Sequence, residues 1–113
     1  MTGQSDNEKL FHCPALSALK VISGKWKTRI LWLLRERSYH FGELKRTLPG
    51  VTAKVLSEQL KQLENAGILA QQNTMIGSVH YCHYGFSKYG RSLIPVLEAL
   101  GNWGLDHAKQ NEP

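Results

Sequence analysis

Residues 49–67 read PGVTAKVLSEQLKQLENAG, and this stretch decides the fold. It opens with the turn dipeptide Pro49-Gly50, and the hydroxyl of Thr52 is of the type that caps a helix N-terminus. Gly67 supplies a helix stop. Between them, apolar residues recur at helical spacing: Val55, Leu56, Leu60 and Leu63. The pattern predicts an amphipathic helix of about four turns. We expect its other side, which is polar and basic, to read DNA.

The polar side of this predicted helix supplies the candidates for contacts with DNA bases. They are Thr52, Ala53, Lys54, Ser57 and Lys61. The candidates for phosphate contacts, which carry affinity without sequence information, are Lys25, Lys45, Arg46 and Lys54. Glu58 either accepts from a cytosine amino group or offsets the neighbouring lysines. For any single lysine on such a face, solvation explains the charge as well as a phosphate contact does.

The segments on both sides of this helix complete a larger motif. Upstream, the apolar residues of 41–48 repeat every three or four positions, which predicts two helical turns that end at Pro49. A short helix, a tight turn and a second helix form a helix-turn-helix. Downstream, residues 68–74 read as a weak strand, 75–78 as a turn and 79–86 as a second strand. A hairpin in this place predicts a winged helix.

Three further helices are expected. The patterns predict them at 14–22, at 25–37 with Ser23 as its cap, and at 88–107 with Ser87 as its cap. The last one has more apolar residues around its axis than one small domain can cover. Because most soluble oligomers are two-fold dimers, we expect a homodimer that binds an operator with two half-sites. The candidates for the dimer interface are Leu16, Leu93, Leu97, Leu100 and Trp103.

The predicted fold class is mainly α with a small β-hairpin: a winged helix-turn-helix with an extra N-terminal helix and a C-terminal dimerisation helix. The chain has 113 residues, enough for one core. We expect a flexible tail at 1–10, the winged-helix domain at 11–108 and a flexible end at 109–113. No apolar run approaches the ~18 residues that a membrane span needs, and the N-terminus lacks an apolar signal core, so a cytoplasmic location is expected.

The charge is basic and unevenly distributed. The net charge is +5, and ten lysines and arginines lie between residues 20 and 61 against three glutamates. A basic excess in and just before the predicted DNA-reading helix indicates an anionic partner, and double-stranded DNA fits it.

Several motifs lie along residues 12–105. They are CP at 13–14, VISGKWK at 21–27, FGELKR at 41–46, LPGVT at 48–52, LS at 56–57, LKQLE at 60–64, AGI at 66–68, GRSL at 90–93 and WG at 103–104. Together they resemble the HxlR-type family of bacterial winged-helix transcription regulators. The resemblance implies a homodimer that represses or activates from DNA. In several members of that family a cysteine at the position of Cys13 responds to oxidants or electrophiles.

The chain also departs from that family. His40 and Gln71 stand where the family usually has arginine, and no lysine or arginine occurs from Gln71 to Phe86. These departures indicate a wing that is shorter or that contributes less to affinity.

Cys13 has two interpretations. It precedes Pro14 at a predicted helix start, with His12 beside it, and a helix N-terminus with nearby positive charge favours the reactive thiolate. Oxidation would then proceed to a sulfenate and on to a disulfide or small-thiol adduct. The alternative is an inert, small hydrophobic residue.

A metal site is a rival interpretation of the strand at 79–86. His80 and Cys82 point to the same face of a strand, at a distance from which two ligands can converge on zinc. A third ligand would have to come from His12, Cys13 or a partner subunit, so we expect neither a metal nor a cofactor.

Other functional classes are less well supported. The sequence has no phosphate-binding glycine loop, no zinc-protease motif and no nucleophile elbow, so we do not expect an enzyme. Two alternatives stay open: a winged-helix module that binds another protein, and a regulator of the MarR or ArsR type. Salt-dependent binding to duplex DNA separates the first alternative from a DNA-binding regulator.

Overall fold

The computed structural model describes residues 13–111, so the expected tail at 1–10 lies outside the described residues. The elements in chain order are α1 Pro14–Ile22, α2 Lys25–Leu34, β1 Tyr39–His40, α3 Phe41–Thr47, α4 Ala53–Asn65, β2 Leu69–Ile76, β3 Val79–Phe86, a 3-10 helix Gly90–Leu93 and α5 Ile94–Gln110. This order confirms the predicted winged helix-turn-helix: α3 and α4 form the helix-turn-helix, and β2 and β3 form the wing.

Capping hydrogen bonds define both ends of helix α4. The Thr52 hydroxyl accepts a hydrogen bond of 3.1 Å from the backbone N–H three residues further on, which confirms the predicted N-cap. At the other end Gly67 adopts a φ of +78°, a conformation that favours glycine. Its N–H donates to the carbonyl of Glu64 at 2.9 Å, and the N–H of Ile68 donates to the carbonyl of Leu63 at 3.0 Å. This pair of bonds is a Schellman motif, which turns the chain directly into the wing.

A single core holds the helices together, and α2 and α4 each contribute three buried residues to it. The apolar stripe of α4 packs against side chains from α2, α3 and α5. The most deeply buried side chains are Ile30, Leu31, Leu44, Leu56, Leu60, Leu63 and Leu97. Full burial of one such side chain contributes about 1.5–3 kcal/mol, so the inward face of α4 is fixed by the core and its polar face must point outward.

The wing belongs to a three-stranded antiparallel sheet with the strand order β1-β3-β2. Tyr39 pairs with Tyr84, so β1 ties the start of α3 to the wing. The sequence pattern predicts only the two hairpin strands. The strands β2 and β3 have eight residues each and meet at a two-residue turn. The predicted turn at 75–78 is therefore too wide, and the wing is not short.

The helix ends differ from the prediction at three places. The N-cap of α2 is Gly24, with no side-chain cap, so the predicted cap by Ser23 is wrong; α2 also ends at Leu34. The Ser87 hydroxyl accepts from the N–H of Gly90 at 2.8 Å, in the first residue of the 3-10 helix, whereas the N-cap of α5 is Leu93, so the predicted cap of the last helix by Ser87 is wrong. Because proline has no N–H to give to the preceding turn, Pro95 marks the start of α5 proper.

No helix within residues 13–111 is both long and apolar enough to cross a membrane.

Candidate nucleic-acid interface

The exposed side of α4 carries all five residues predicted to read bases. Each is exposed: Thr52, Ala53, Lys54, Ser57 and Lys61. Lys54, Ser57 and Lys61, together with Glu58, are three or four residues apart and therefore form one stripe along the helix. The structure therefore brings this predicted set together on one outward surface, which we call the α4 face.

The predicted phosphate contacts lie on three helices. Lys45 and Arg46 are exposed in the last turn of α3, just before the turn into α4. Lys54 lies in the first turn of α4. Lys25 begins α2 instead, and its ammonium lies 4.9 Å from the centre of the Trp26 ring. Three of these cations therefore belong to the helix-turn-helix itself. Lys25 lies over the Trp26 indole on α2, outside the helix-turn-helix.

The cations of the helix-turn-helix are not neutralised by neighbours. Among residues 13–111 the ion pairs are Arg35–Glu36 and Arg37–Glu43, both at 3.1 Å. None of the predicted DNA contacts takes part in either pair. Their charges stay available for an anion.

Glu43 has a local structural role that sequence reasoning missed. The backbone N–H of His40 donates to its Oε1 at 3.0 Å, and Arg37 donates to its Oε2 at 3.1 Å. These two contacts, the backbone N–H first, lower the pKa of Glu43, and the carboxylate in turn raises the pKa of Arg37. A glutamate at the third position of a helix is the available signal, but His40 is not among the preferred cap residues.

The wing is neutral and is linked to α4 by side chains. Gln71, at a position where the resembled family usually has arginine, donates to the two carboxylate oxygens of Glu64 at 3.3 and 3.2 Å. The thiol of Cys82 donates to Gln71 Oε1 at 3.2 Å. The wing has no lysine or arginine. In place of a cation, the side-chain amide of Gln71 joins β2 by hydrogen bonds to the end of α4 and to β3.

The two metal-ligand candidates on β3 have other partners. His80 Nε2 lies 2.9 Å from the side-chain oxygen of Asn73, and the Cys82 thiol donates a hydrogen bond to Gln71. The described residues contain no group of three or more His, Cys, Asp or Glu side chains that could hold a metal ion. His12 lies outside them.

Cys13 is an exposed free thiol at the N-cap of α1. Its carbonyl accepts a hydrogen bond of 3.0 Å from the N–H of Ser17, and its side chain makes no cap hydrogen bond. The predicted position at a helix start is therefore correct, and the sulfur is accessible.

The predicted dimer contacts fall into two groups. Leu16, Leu100 and Trp103 are exposed by 51, 46 and 67%, and Leu93 is half-buried against the core. Leu97 is only 1% exposed and packs inside the protomer. Its assignment to a dimer interface needs correction, since a side chain in the core of one chain offers no surface to another.

Comparison with known proteins agrees with this geometry. A sequence profile described as HxlR-like helix-turn-helix matches residues 21–112. The HTH-type transcriptional regulator YdzF of Bacillus subtilis is 40% identical over 88 residues, covering 77% of this chain and 80% of YdzF. YtcD of the same organism is 37% identical over 102 residues, covering 88% of this chain and 79% of YtcD.

One solved structure is similar over most of the fold. The reduced form of the redox regulator HypR superimposes with a TM-score of 0.78 at 28% identity, covering 85% of this chain and 94% of HypR. The winged-helix architecture of this chain, the profile match and the relatives agree with one another. The chain belongs to the HxlR-like helix-turn-helix family of transcriptional regulators.

Proposed function

We propose that this regulator is a homodimer that binds a specific operator with two half-sites through the α4 face. The observation that carries the proposal is the α4 face itself. It is an exposed polar stripe, held outward by a buried leucine stripe. Lys54 lies on it, Lys45 and Arg46 lie just before it in the chain, and none of the three forms an ion pair within residues 13–111. Short polar side chains and lysines at a helix N-terminus are suited to base edges and phosphates in the major groove.

The second subunit is supported by apolar surface at the two ends of the chain. Leu16 and Leu19 on α1 are about half exposed, and so is Leu100 on α5, while Trp103 and Leu105 are about two-thirds exposed. Monomeric proteins rarely expose so many large apolar side chains on neighbouring turns of one helix. A two-fold dimer would cover them and place two α4 faces on one DNA duplex.

The proposed function predicts a steep dependence of DNA binding on salt. Duplexes selected from a random pool provide the operator, and their affinity is then measured between about 50 and 200 mM salt. Three phosphate contacts per subunit, from Lys45, Arg46 and Lys54, or six per dimer, give an expected slope of about −5 for log K against log salt. A protein-interaction module would select no duplex and would show no slope beyond that of its general charge. That result would contradict the proposal.

We also propose that Cys13 makes the regulator sensitive to oxidants. Its accessible sulfur at a helix N-terminus supports this, and so does the similarity to HypR, which is described as a redox regulator and has a solved oxidised form.

Diamide is expected to abolish operator binding by the parent protein but not by Cys13→Ser. The reagent takes two electrons from two thiols, which join as a disulfide while its N=N bond is reduced. The second thiol is glutathione added to the assay. Cys82→Ser is the matched control and should respond like the parent, because the Cys82 thiol is bonded to Gln71. Equal inhibition of parent and Cys13→Ser, measured by fluorescence anisotropy, would refute the role of Cys13.

A further inference from the structure

A cavity of about 480 Å³ lies between α2, α5 and the segment that leads into α4. We call it the α2–α5 cavity. Its walls include Arg29, Trp32 and Leu33 of α2, Leu48 and Pro49 before α4, and Leu100 of α5. Its volume falls within the range of small-molecule sites, which run from about 300 to 1,000 Å³ and have mostly apolar walls.

The apolar wall has a fixed shape. The Trp32 ring lies against Gly101 so closely that a Cβ added to this glycine would come within 2.2 Å of the ring. The Arg35 guanidinium covers the same indole at 3.6 Å from the ring centre, and it also donates to the Trp32 carbonyl at 2.9 Å. These contacts fix the position of the ring beside Leu33 and Leu100, so the ring is part of a preformed apolar wall against which an aromatic group can pack.

One lining residue carries a charge that has no acidic partner. The Arg29 guanidinium makes no hydrogen bond or ion pair within the part of the chain that the structure describes, and it lies 5.5 Å from the Trp26 ring centre. The two hydroxyls of the lining are already used as donors. Thr28 donates to the carbonyl of Ile22, and Thr47 donates to a backbone carbonyl of α3 at 2.8 Å. Arg29 is thus the lining group with free donors.

We propose that the α2–α5 cavity binds a small aromatic monoanion, such as a one- or two-ring carboxylate. The ring lies against Trp32 and the leucines, and the carboxylate accepts hydrogen bonds from Arg29. The charge decides the ligand class, because a guanidinium recognises a planar carboxylate through two parallel N–H donors. An apolar wall with one free cation complements a ligand with an apolar body and one negative charge.

The position of the cavity connects a ligand to DNA binding. Leu48 and Pro49 line it, and they immediately precede the capped start of α4. An occupant that binds one position of this segment better than another shifts the placement of the α4 face. This consequence rests on the proposed function, whereas ligand binding itself does not.

Titration of the full chain without DNA tests the binding. The probes are 2-naphthoate and its neutral analogue 2-naphthamide, measured by calorimetry. We expect naphthoate to bind at least about tenfold more tightly than naphthamide, since charged hydrogen bonds exceed neutral ones by roughly this factor. Arg29→Gln should remove the preference and leave naphthamide binding unchanged. Lys27→Gln, which removes a positive charge from α2 at a residue outside the cavity lining, should keep it.

The location of the probe is tested by two independent measurements. Leu100→Trp fills the cavity and should abolish the binding of both probes, with circular dichroism as the check on folding. In the parent protein, naphthoate should shift the indole N–H resonance of Trp32, which Trp32→Phe identifies. The second measurement holds even where Leu100→Trp fails to fold.

Three results would overturn the proposal. They are equal affinity for the two probes, an unchanged preference in Arg29→Gln, and an unmoved Trp32 resonance at saturation. Absence of any probe binding would overturn it as well. Each result is obtained without DNA and stays distinct from a failure of operator binding.

Discussion

Lys54→Ala is expected to weaken operator binding by about 30-fold or more. A good side-chain contact with a base contributes about 1–3 kcal/mol, and a dimer loses it at both half-sites. The combined loss of about 2 kcal/mol or more corresponds to this factor, because each 1.4 kcal/mol is tenfold. Lys54 is exposed in the first turn of α4, no acid neutralises it among residues 13–111, and the wing has no lysine or arginine to replace it.

The measurement is fluorescence anisotropy with the selected operator at one fixed salt concentration. Lys109→Ala is the matched control: it removes an exposed lysine from the last turn of α5, far along the chain from the α4 face. We expect less than about a twofold change for it. Normal binding by Lys54→Ala would show that a different face of the protein contacts DNA. A salt slope reduced by about 0.9 per lost contact would identify a phosphate partner.

Gly90→Ala is expected to destabilise the fold by about 3 kcal/mol or to prevent folding. Gly90 is buried, and a Cβ at this position would come within 2.0 Å of the carbonyl oxygen of Ile68. That oxygen also accepts a hydrogen bond of 2.9 Å from the N–H of Ser87. Because the obstacle is backbone held by its own hydrogen bond, no side-chain rotation relieves the clash. The end of α4, the wing and the start of α5 meet here.

Gly104→Ala is the control, and it should raise the free energy of unfolding, whereas Gly90→Ala lowers it. Gly104 lies within α5, and nothing comes within 4 Å of an added Cβ. Alanine in a helix interior is about 1 kcal/mol more favourable than glycine, so stability should rise by up to that amount. Urea unfolding followed by circular dichroism gives both values. Equal midpoints for Gly90→Ala and the parent would show that the contact with Ile68 is not as close as described.

Local patterns account for what could be predicted. The α4 helix carries its cap, its apolar spacing and its glycine stop within one stretch of 19 residues, so its outward face follows from the sequence. The strand β1 does not follow, because two residues have no periodicity and their partner on β3 lies more than 40 positions away. The prediction that Ser23 caps α2 is wrong for a different reason. Gly24, with a φ of +125°, takes the N-cap position.

Tertiary packing accounts for what the sequence could not show. Periodicity marks Leu97 and Leu100 as apolar but cannot tell that the first enters the core while the second stays 46% exposed. The α2–α5 cavity is likewise hidden, since its walls come from three separate segments. Gln71 stands where the resembled family usually has arginine, and its hydrogen bonds to Glu64 depend on a hairpin geometry that only the folded chain defines.

The neutral wing affects how the regulator searches a genome. Binding to random DNA comes almost entirely from cations near phosphates, and a genome offers millions of such competing positions. The strands β2 and β3 reach outward with no cation, and the side chains at their tip are the exposed Met75, Ile76 and Val79. This surface therefore adds nothing to the electrostatic retention on unrelated sequence. Under the proposed binding mode, more of the regulator's occupancy depends on the match between α4 and its operator, which favours discrimination over residence on bulk DNA.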